Sequence, residues 1–320
     1  MAIARDYYVT RGMHLPKDQV LIHTNIPAGD FTRHPISYWV GAYRYIGAGA
    51  LAAADRVVRD QMGVQDSDDS LARMDKVMRF LRAKLADAVG VPKDAFRWLD
   101  PWRMFQDMAN GSSKGWCTQY AQIYTFFANR AGVPTRFVFG ANTLDNVIAY
   151  NGHSWAESWV EEQGRWTYVD PSHTVIAVQD RNGAFLNTAD IMHLCEHEVF
   201  EGVTARIMKD WHWRDLTVEA RPGTAVNVPF ALVNLLPRTH LNRQSIIKYR
   251  RPPNVEDTRH IYSMLLKNPT FTWVNFKRYL FTPTLAYSKL PTNGGRTYGV
   301  RWSLFAGLVV ALILLVASLG

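Results

Sequence analysis

The sequence predicts an α+β fold: a helix starting near Trp116 packed on an antiparallel sheet, followed by one membrane-spanning helix at the C-terminus. Three observations predict it. Leu71, Met74, Val77, Met78, Leu81 and Leu85 recur at the spacing of one helical face. Residues 116–130 read as a second helix, closed by Ala131-Gly132-Val133-Pro134, a C-cap glycine followed by proline. Short β runs then follow at 136–140, 154–160 and 166–169, and the turn residues Glu162-Gln163-Gly164-Arg165 split the last two into a hairpin.

The remaining elements can be taken in order. Residues 1–69 form a mostly helical N-terminal segment, with turn signals at Pro16, Pro27, Gly29 and Pro35 before a small-residue helix over 41–62. Within it, 36–54 is apolar and aromatic, but Arg44 in its middle makes it a buried or interfacial helix rather than a span. The acidic run 66–70 offers an N-cap to the helix that follows. A second domain is expected over 70–220, with an aromatic loop or short helix at 98–111, a turn near 142–146 and a further strand at 175–178. Residues 221–301 form a basic, aromatic region: 226–236 reads as strand or apolar helix, 251–253 as a linker, 260–267 as helix, and 273–281 as a segment suited to a membrane surface.

Charge and hydropathy set the expected location. The net charge is +8, and 241–301 carries eleven Lys/Arg against Glu256 and Asp257, so the whole excess lies there. Residues 302–319 follow without a single charge, about 27 Å of helix at about 1.5 Å per residue. Basic residues precede this stretch and only Gly320 follows it, which predicts a single-pass C-terminal anchor with the rest of the chain facing the cytoplasm. Anionic lipid then explains the basic region better than nucleic acid does. The first thirteen residues lack the apolar core of a signal peptide, and two cysteines with 77 residues between them give no disulfide framework.

The chemistry concentrates between residues 115 and 171. A cysteine becomes a strong nucleophile as thiolate, which a helix N-terminus and a neighbouring imidazole both favour. Gly115-Trp116-Cys117 opens the second helix, and the Cys117 N–H is a natural oxyanion donor. His153, in Gly152-His153-Ser154-Trp155-Ala156-Glu157, opens one strand of the hairpin. Asp170, in Trp166-Thr167-Tyr168-Val169-Asp170-Pro171, closes the other, so antiparallel pairing brings them side by side. His173 is a rival base. His193, Cys195 and His197 invite a zinc reading, with all three on one face of a strand but only the histidines on one face of a helix; no fourth ligand is evident, and polar surface positions are the expectation.

The stretch from Gly115 to Pro171 resembles the core of the transglutaminase-like superfamily, in its cysteine, histidine and aspartate motifs and in the run Ala131-Gly132-Val133-Pro134-Thr135-Arg136 between them. The resemblance implies a papain-like α+β core in which Cys117, His153 and Asp170 form the catalytic triad, acting on a peptide or amide substrate through a thioester. No calcium-site pattern stands out in the sequence, so no metal and no cofactor are expected, and the calcium dependence of animal members is not carried over. Hydrolysis is favoured over cross-linking, because water is always at hand and an amine channel needs further architecture. The alternative is a catalytically silent scaffold or binding protein of the same fold at a membrane complex.

Overall fold

The computed structural model describes residues 19–23, 36–40, 43, 46–92, 96, 99–144, 147–208, 223–233, 241, 246–250, 284–288 and 296–319. Four helices build the first layer: α1 (Ala48–Arg56), α2 (Ser70–Leu85), α3 (Pro101–Ala109) and α4 (Cys117–Arg130). The helix expected from residue 41 begins at Ala48 and continues through a π-helical stretch, Val57–Gln61. The apolar stretch 36–54 is broken into a helical turn, Ile36–Trp39, and the start of α1, and it places Trp39, Tyr43, Ile46 and Ala54 inside the protein.

Asp69 caps α2, its Oδ1 accepting the Ala72 N–H at 2.7 Å. The apolar face read from the sequence is the buried one: Met74, Val77, Met78, Leu81 and Leu85 lie in the core, and Leu71 packs at its margin. Asp100 caps α3 ahead of Pro101, which needs no N–H at that position. Phe80 of α2, Phe105 of α3 and Phe126 and Phe127 of α4 meet in one aromatic cluster. Helix α4 ends at Ala131, with Gly132 in the left-handed region (φ +81°) where an L side chain would be strained.

The strands are β1 (Gln19–His23), β2 (Thr135–Leu144), β3 (Val147–Val160), β4 (Arg165–Val169), β5 (Val175–Gln179), β6 (Thr204–Met208), β7 (Ala225–Pro229), β8 (Ile246–Arg250) and β9 (Thr284–Ser288). They form a six-stranded sheet, β1-β9-β8-β2-β3-β4, and a three-stranded sheet, β5-β6-β7. All pairs are antiparallel except β1 with β9. Strands β1, β8 and β9 thus come from outside 70–220 and complete the large sheet. Of residues 226–236, read as strand or helix, the described part divides into the end of β7 and a helical turn at Phe230–Val233, and 234–236 lie outside the described residues. The expected elements at 251–253, 260–267 and 273–281 lie outside the described residues.

Alternation along β3 separates two environments. Ser154, Ala156 and Ser158 face α4: Ser154 Oγ lies 2.9 Å from Thr118 Oγ1, and Ser158 Oγ lies 3.3 Å from Tyr124 Oη. Trp155 and Glu157 face a second core that also holds Trp39, Val138, Tyr249 and β5–β7 side chains. There Arg136 and Glu157, both fully buried, form an ion pair. Trp166, Tyr249 and Trp39 surround the guanidinium at 4.1, 4.5 and 5.0 Å. Glu157 Oε1 also accepts the Thr188 N–H at 2.8 Å and the Tyr249 hydroxyl at 2.9 Å. It thereby holds the N-terminus of α5 (Thr188–His197) against β3.

The C-terminal residues form one helix, α6 (Arg296–Leu319), 24 residues long. Among the described residues no helix is long and apolar enough to cross a membrane. The anchor expected over 302–319 is therefore not supported. Val310, Ile313, Leu314, Val316 and Leu319 of α6 are exposed.

Candidate active site

The first turn of α4 sets Cys117. Trp116 is the N-cap residue, extended in backbone, and its N–H donates to Gln119 Oε1 at 3.0 Å. Gly115 is held by a parallel bridge to Val89, its N–H donating to Ala88 O at 2.8 Å while its carbonyl accepts the Gly90 N–H at 3.1 Å. A Cβ at Gly115 would come within 2.8 Å of Gln119 Cβ and 2.9 Å of Met108 Sδ, so only glycine allows this close approach of α3 to α4.

His153 sits in the middle of β3, opposite Gly140 of β2, rather than at a strand start, because β3 reaches back to Val147. The last β3–β4 pair is Ala156 with Val169, and Asp170 leaves the sheet beyond it. His153 Nε2 lies 2.7 Å from Asp170 Oδ2. Asp170 occupies Nε2, and the His153 side chain and the Ser154 backbone both act on the Cys117 thiol. The structure therefore brings together all three residues expected at the site.

Asp170 is the most heavily bonded member. Its Oδ2 accepts from His153, from His173 Nδ1 at 2.9 Å and from the Tyr168 hydroxyl at 3.2 Å; its Oδ1 accepts from the Ser172 hydroxyl at 2.7 Å and the Ser172 N–H at 3.1 Å. His173, the rival base, is thus placed on the carboxylate, and His153 is the imidazole that acts on the Cys117 thiol. The sequence carried faint signals of this arrangement: Asp170 followed by Ser172 is an Asx-turn pattern, and Tyr168 lies two residues before Asp170 on the same strand face.

Electrostatics favour a thiolate–imidazolium pair. Burial alone pushes the Cys117 thiol up, but the hydrogen bond and charge of His153, with the Ser154 N–H, outweigh it and bring the thiol below its ordinary range. Burial pushes the His153 imidazole down, yet Asp170 and Cys117 hold it up to about 10. Burial likewise raises Asp170, and the two histidines hold its carboxyl well below the usual range. Burial and the Asp170 charge push the Tyr168 phenol well above its ordinary value, so it stays a neutral donor.

Residues 61–171 match the model of the transglutaminase-like superfamily core. This region is similar to that superfamily's core. Over 77 residues the chain is 34% identical to a protein-glutamine gamma-glutamyltransferase of Pseudomonas aeruginosa (strain PAO1), a match covering 22% of this chain and 11% of that relative's length. The transglutaminase-like match takes in α2, α3, α4 and β2–β4 and ends one residue past Asp170, so Cys117, His153 and Asp170 all fall within it.

Two groups bear on metal. His153, Asp170 and His173 place one ligand atom each within 4.8 Å of one another. Their 2.7 and 2.9 Å separations are hydrogen-bond lengths with a proton between, shorter than the about 3.3 Å between ligands on a tetrahedral zinc. His193 and His197 lie one turn apart on α5, which is helical where a strand would have aligned Cys195 with them; their rings approach to 4.5 Å. Both are exposed.

Proposed function

We propose that this protein is a cysteine-dependent acyl-transfer enzyme acting on amide or peptide bonds. Cys117 is the nucleophile, His153 the acid and base, and Asp170 the carboxylate that orients it. The supporting observation is the buried 2.7 Å His153–Asp170 hydrogen bond, with Cys117 at a helix N-terminus where His153 lowers its thiol. The thiolate attacks the carbonyl carbon, and the Cys117 N–H faces the developing oxyanion. His153 gives its proton to the departing nitrogen as the C–N bond breaks, leaving a thioester on Cys117. Water or an amine then attacks, giving a proton back to His153, and the thiolate leaves. The name of the Pseudomonas relative supports a glutamine carboxamide as acyl donor; water is the acceptor we assign first.

The test is ammonia release from glutamine peptides, with and without a primary amine, together with the intact mass of the protein. Wild type should release ammonia and carry an acyl adduct on Cys117, and Cys117→Ala should do neither. Ammonia release by Cys117→Ala, or a thiol-directed probe that labels Cys195 and spares Cys117, refutes the reading.

We further propose that α6 tethers this domain to a membrane with the catalytic part on the cytoplasmic side and residues 241–301 against anionic lipid. The reading is supported by the exposed apolar side chains of α6, among them Val310, Ile313, Leu314, Val316 and Leu319, and by the basic residues that precede it. Full-length protein should stay with membranes after carbonate washing, and a chain ending at Arg301 should not. Equal retention of both removes the tether.

A further inference from the structure

We infer that His173 is a positioning residue: it shares the Asp170 carboxylate with His153 and keeps that carboxylate aimed and ionised while Cys117 is a thiolate. The inference rests on the acyl-transfer reading of Cys117, His153 and Asp170.

The geometry begins with the turn that presents His173. Asp170 and Val175 exchange both backbone hydrogen bonds, at 2.8 and 3.0 Å, and close a tight loop between β4 and β5. Inside it, Thr174 has φ +57°, a left-handed region that strains a β-branched residue. Two bonds to β6 hold it there: Thr174 Oγ1 donates to Met208 O at 2.9 Å, and the Met208 N–H donates to Thr174 O at 2.9 Å. The loop is thus pinned on both sides, and the residue just before the strained one is His173. Its Nδ1 reaches Asp170 Oδ2 at 2.9 Å, and its ring stands 5.2 Å from the His153 ring.

Charge explains what such a contact does. When Cys117 loses its proton, the buried cluster holds two negative groups, Cys117 and Asp170, against one positive group, His153. The other groups facing it are the neutral Tyr168 phenol from β4, Ser172 and His173 from the loop, and Cys195 of α5, close enough to act on Tyr168. Among these described neighbours His173 is the only further cationic-capable donor on Asp170, and its charge and hydrogen bond both lower the Asp170 carboxyl. Without it the buried carboxylate takes a proton more readily. It then supports a charged His153 less well, and the thiolate–imidazolium pair forms at higher pH.

The test follows the rate of Cys117 alkylation by iodoacetamide through the acid range, in wild type, His173→Ala and His173→Gln, alongside kcat and KM. This readout needs no turnover. His173→Ala should move the acid limb upward, so that alkylation on that limb falls about tenfold, the equivalent of one pKa unit. His173→Gln keeps an N–H donor without charge and should fall about threefold; where the alanine variant does not fold, as judged by near-UV dichroism, the glutamine variant carries the test. The loss should appear in kcat with KM unchanged. Acid limbs that coincide with wild type in the folded variants overturn the role of His173 and leave the acyl-transfer reading standing. A wild-type Cys117 with the acid limb of an ordinary thiol sinks that reading instead, and this inference with it.

Discussion

Replacing Glu157 by Gln isolates the electrostatic part of the buried pair behind the site, because the two side chains have the same shape. Glu157 Oε1 accepts from the Thr188 N–H and the Tyr249 hydroxyl, and a glutamine oxygen there keeps both bonds. Oε2 is the atom that changes: it accepts from Arg136 Nε at 2.9 Å and pairs with Arg136 Nη2. In Glu157→Gln an NH2 group faces the guanidinium, donor against donor, and a fully buried cation loses its counter-charge. Breaking such a pair by removing one partner costs about 3–5 kcal/mol. The rings of Trp166, Tyr249 and Trp39 still shield the guanidinium in the variant, so the lower end, about 3 kcal/mol, is expected. Urea unfolding of the full chain followed by tryptophan fluorescence, extrapolated linearly to water, measures it. The double variant Arg136→Met with Glu157→Gln removes the orphan cation and should recover at least half of the loss. A single variant within about 0.5 kcal/mol of wild type, or a double variant no more stable than the single, refutes the reasoning.

Four further outcomes follow from the site. Cys117 alkylation should begin to rise below the ordinary thiol pKa of about 8.5 and change again near pH 10, where His153 loses its proton; a single step at the ordinary thiol value contradicts the pair. The matching stability terms have opposite signs. His153, raised on folding, stabilises fully below its unfolded value of about 6.5 and loses this as pH rises to about 10, whereas Asp170, lowered on folding, stabilises above about 3.9 and loses this as pH falls through its depressed value. Gly115→Ala should cost about 1–3 kcal/mol in urea unfolding and slow Cys117 alkylation, since the new Cβ meets Gln119 and Met108; unchanged values in both assays contradict the close approach. Trp116, 47% exposed beside Cys117, should matter for substrate and not for folding: Trp116→Ala should raise KM several-fold at unchanged melting temperature, and a loss confined to stability contradicts this.

Legibility in the sequence tracked how local each signal is. The α2 face, the glycine–proline end of α4 and the hairpin at Gly164 are all written within a few residues, and each stands where the pattern put it. The three residues expected at the site also come together, because two of them flank one hairpin and the third opens a helix. Partners distant in sequence were not legible. Strand β8 pairs with β2 across more than a hundred residues, Phe137 opposite Arg250. Its alternation was present, with Ile247 and Tyr249 buried, but Lys248 and Arg250 between them read as part of a basic surface region. Gly152 and Asn151 similarly concealed that β3 runs back to Val147, which moved His153 from a strand end to its middle. The Arg136–Glu157 pair escaped notice because nothing about one arginine and one glutamate announces burial until the register that faces them is known.

The position of Asp170 joins these strands of reasoning. It closes β4 of the large sheet and, through its bridge to Val175, opens β5 of the small one, so the chain crosses from one sheet to the other at the carboxylate itself. Neither sheet alone would fix that side chain. The large sheet supplies His153 and Tyr168; the small sheet, through Met208 on β6, holds the strained Thr174 and with it the loop carrying Ser172 and His173. The two sheets are packed together by the core containing Trp155, Tyr168, Val178 and Ile207, and Glu157 ties that core to α5. Orientation of the imidazole at Cys117 is therefore a property of how the sheets meet, which is why it needs strands beyond the hairpin that bears its motifs.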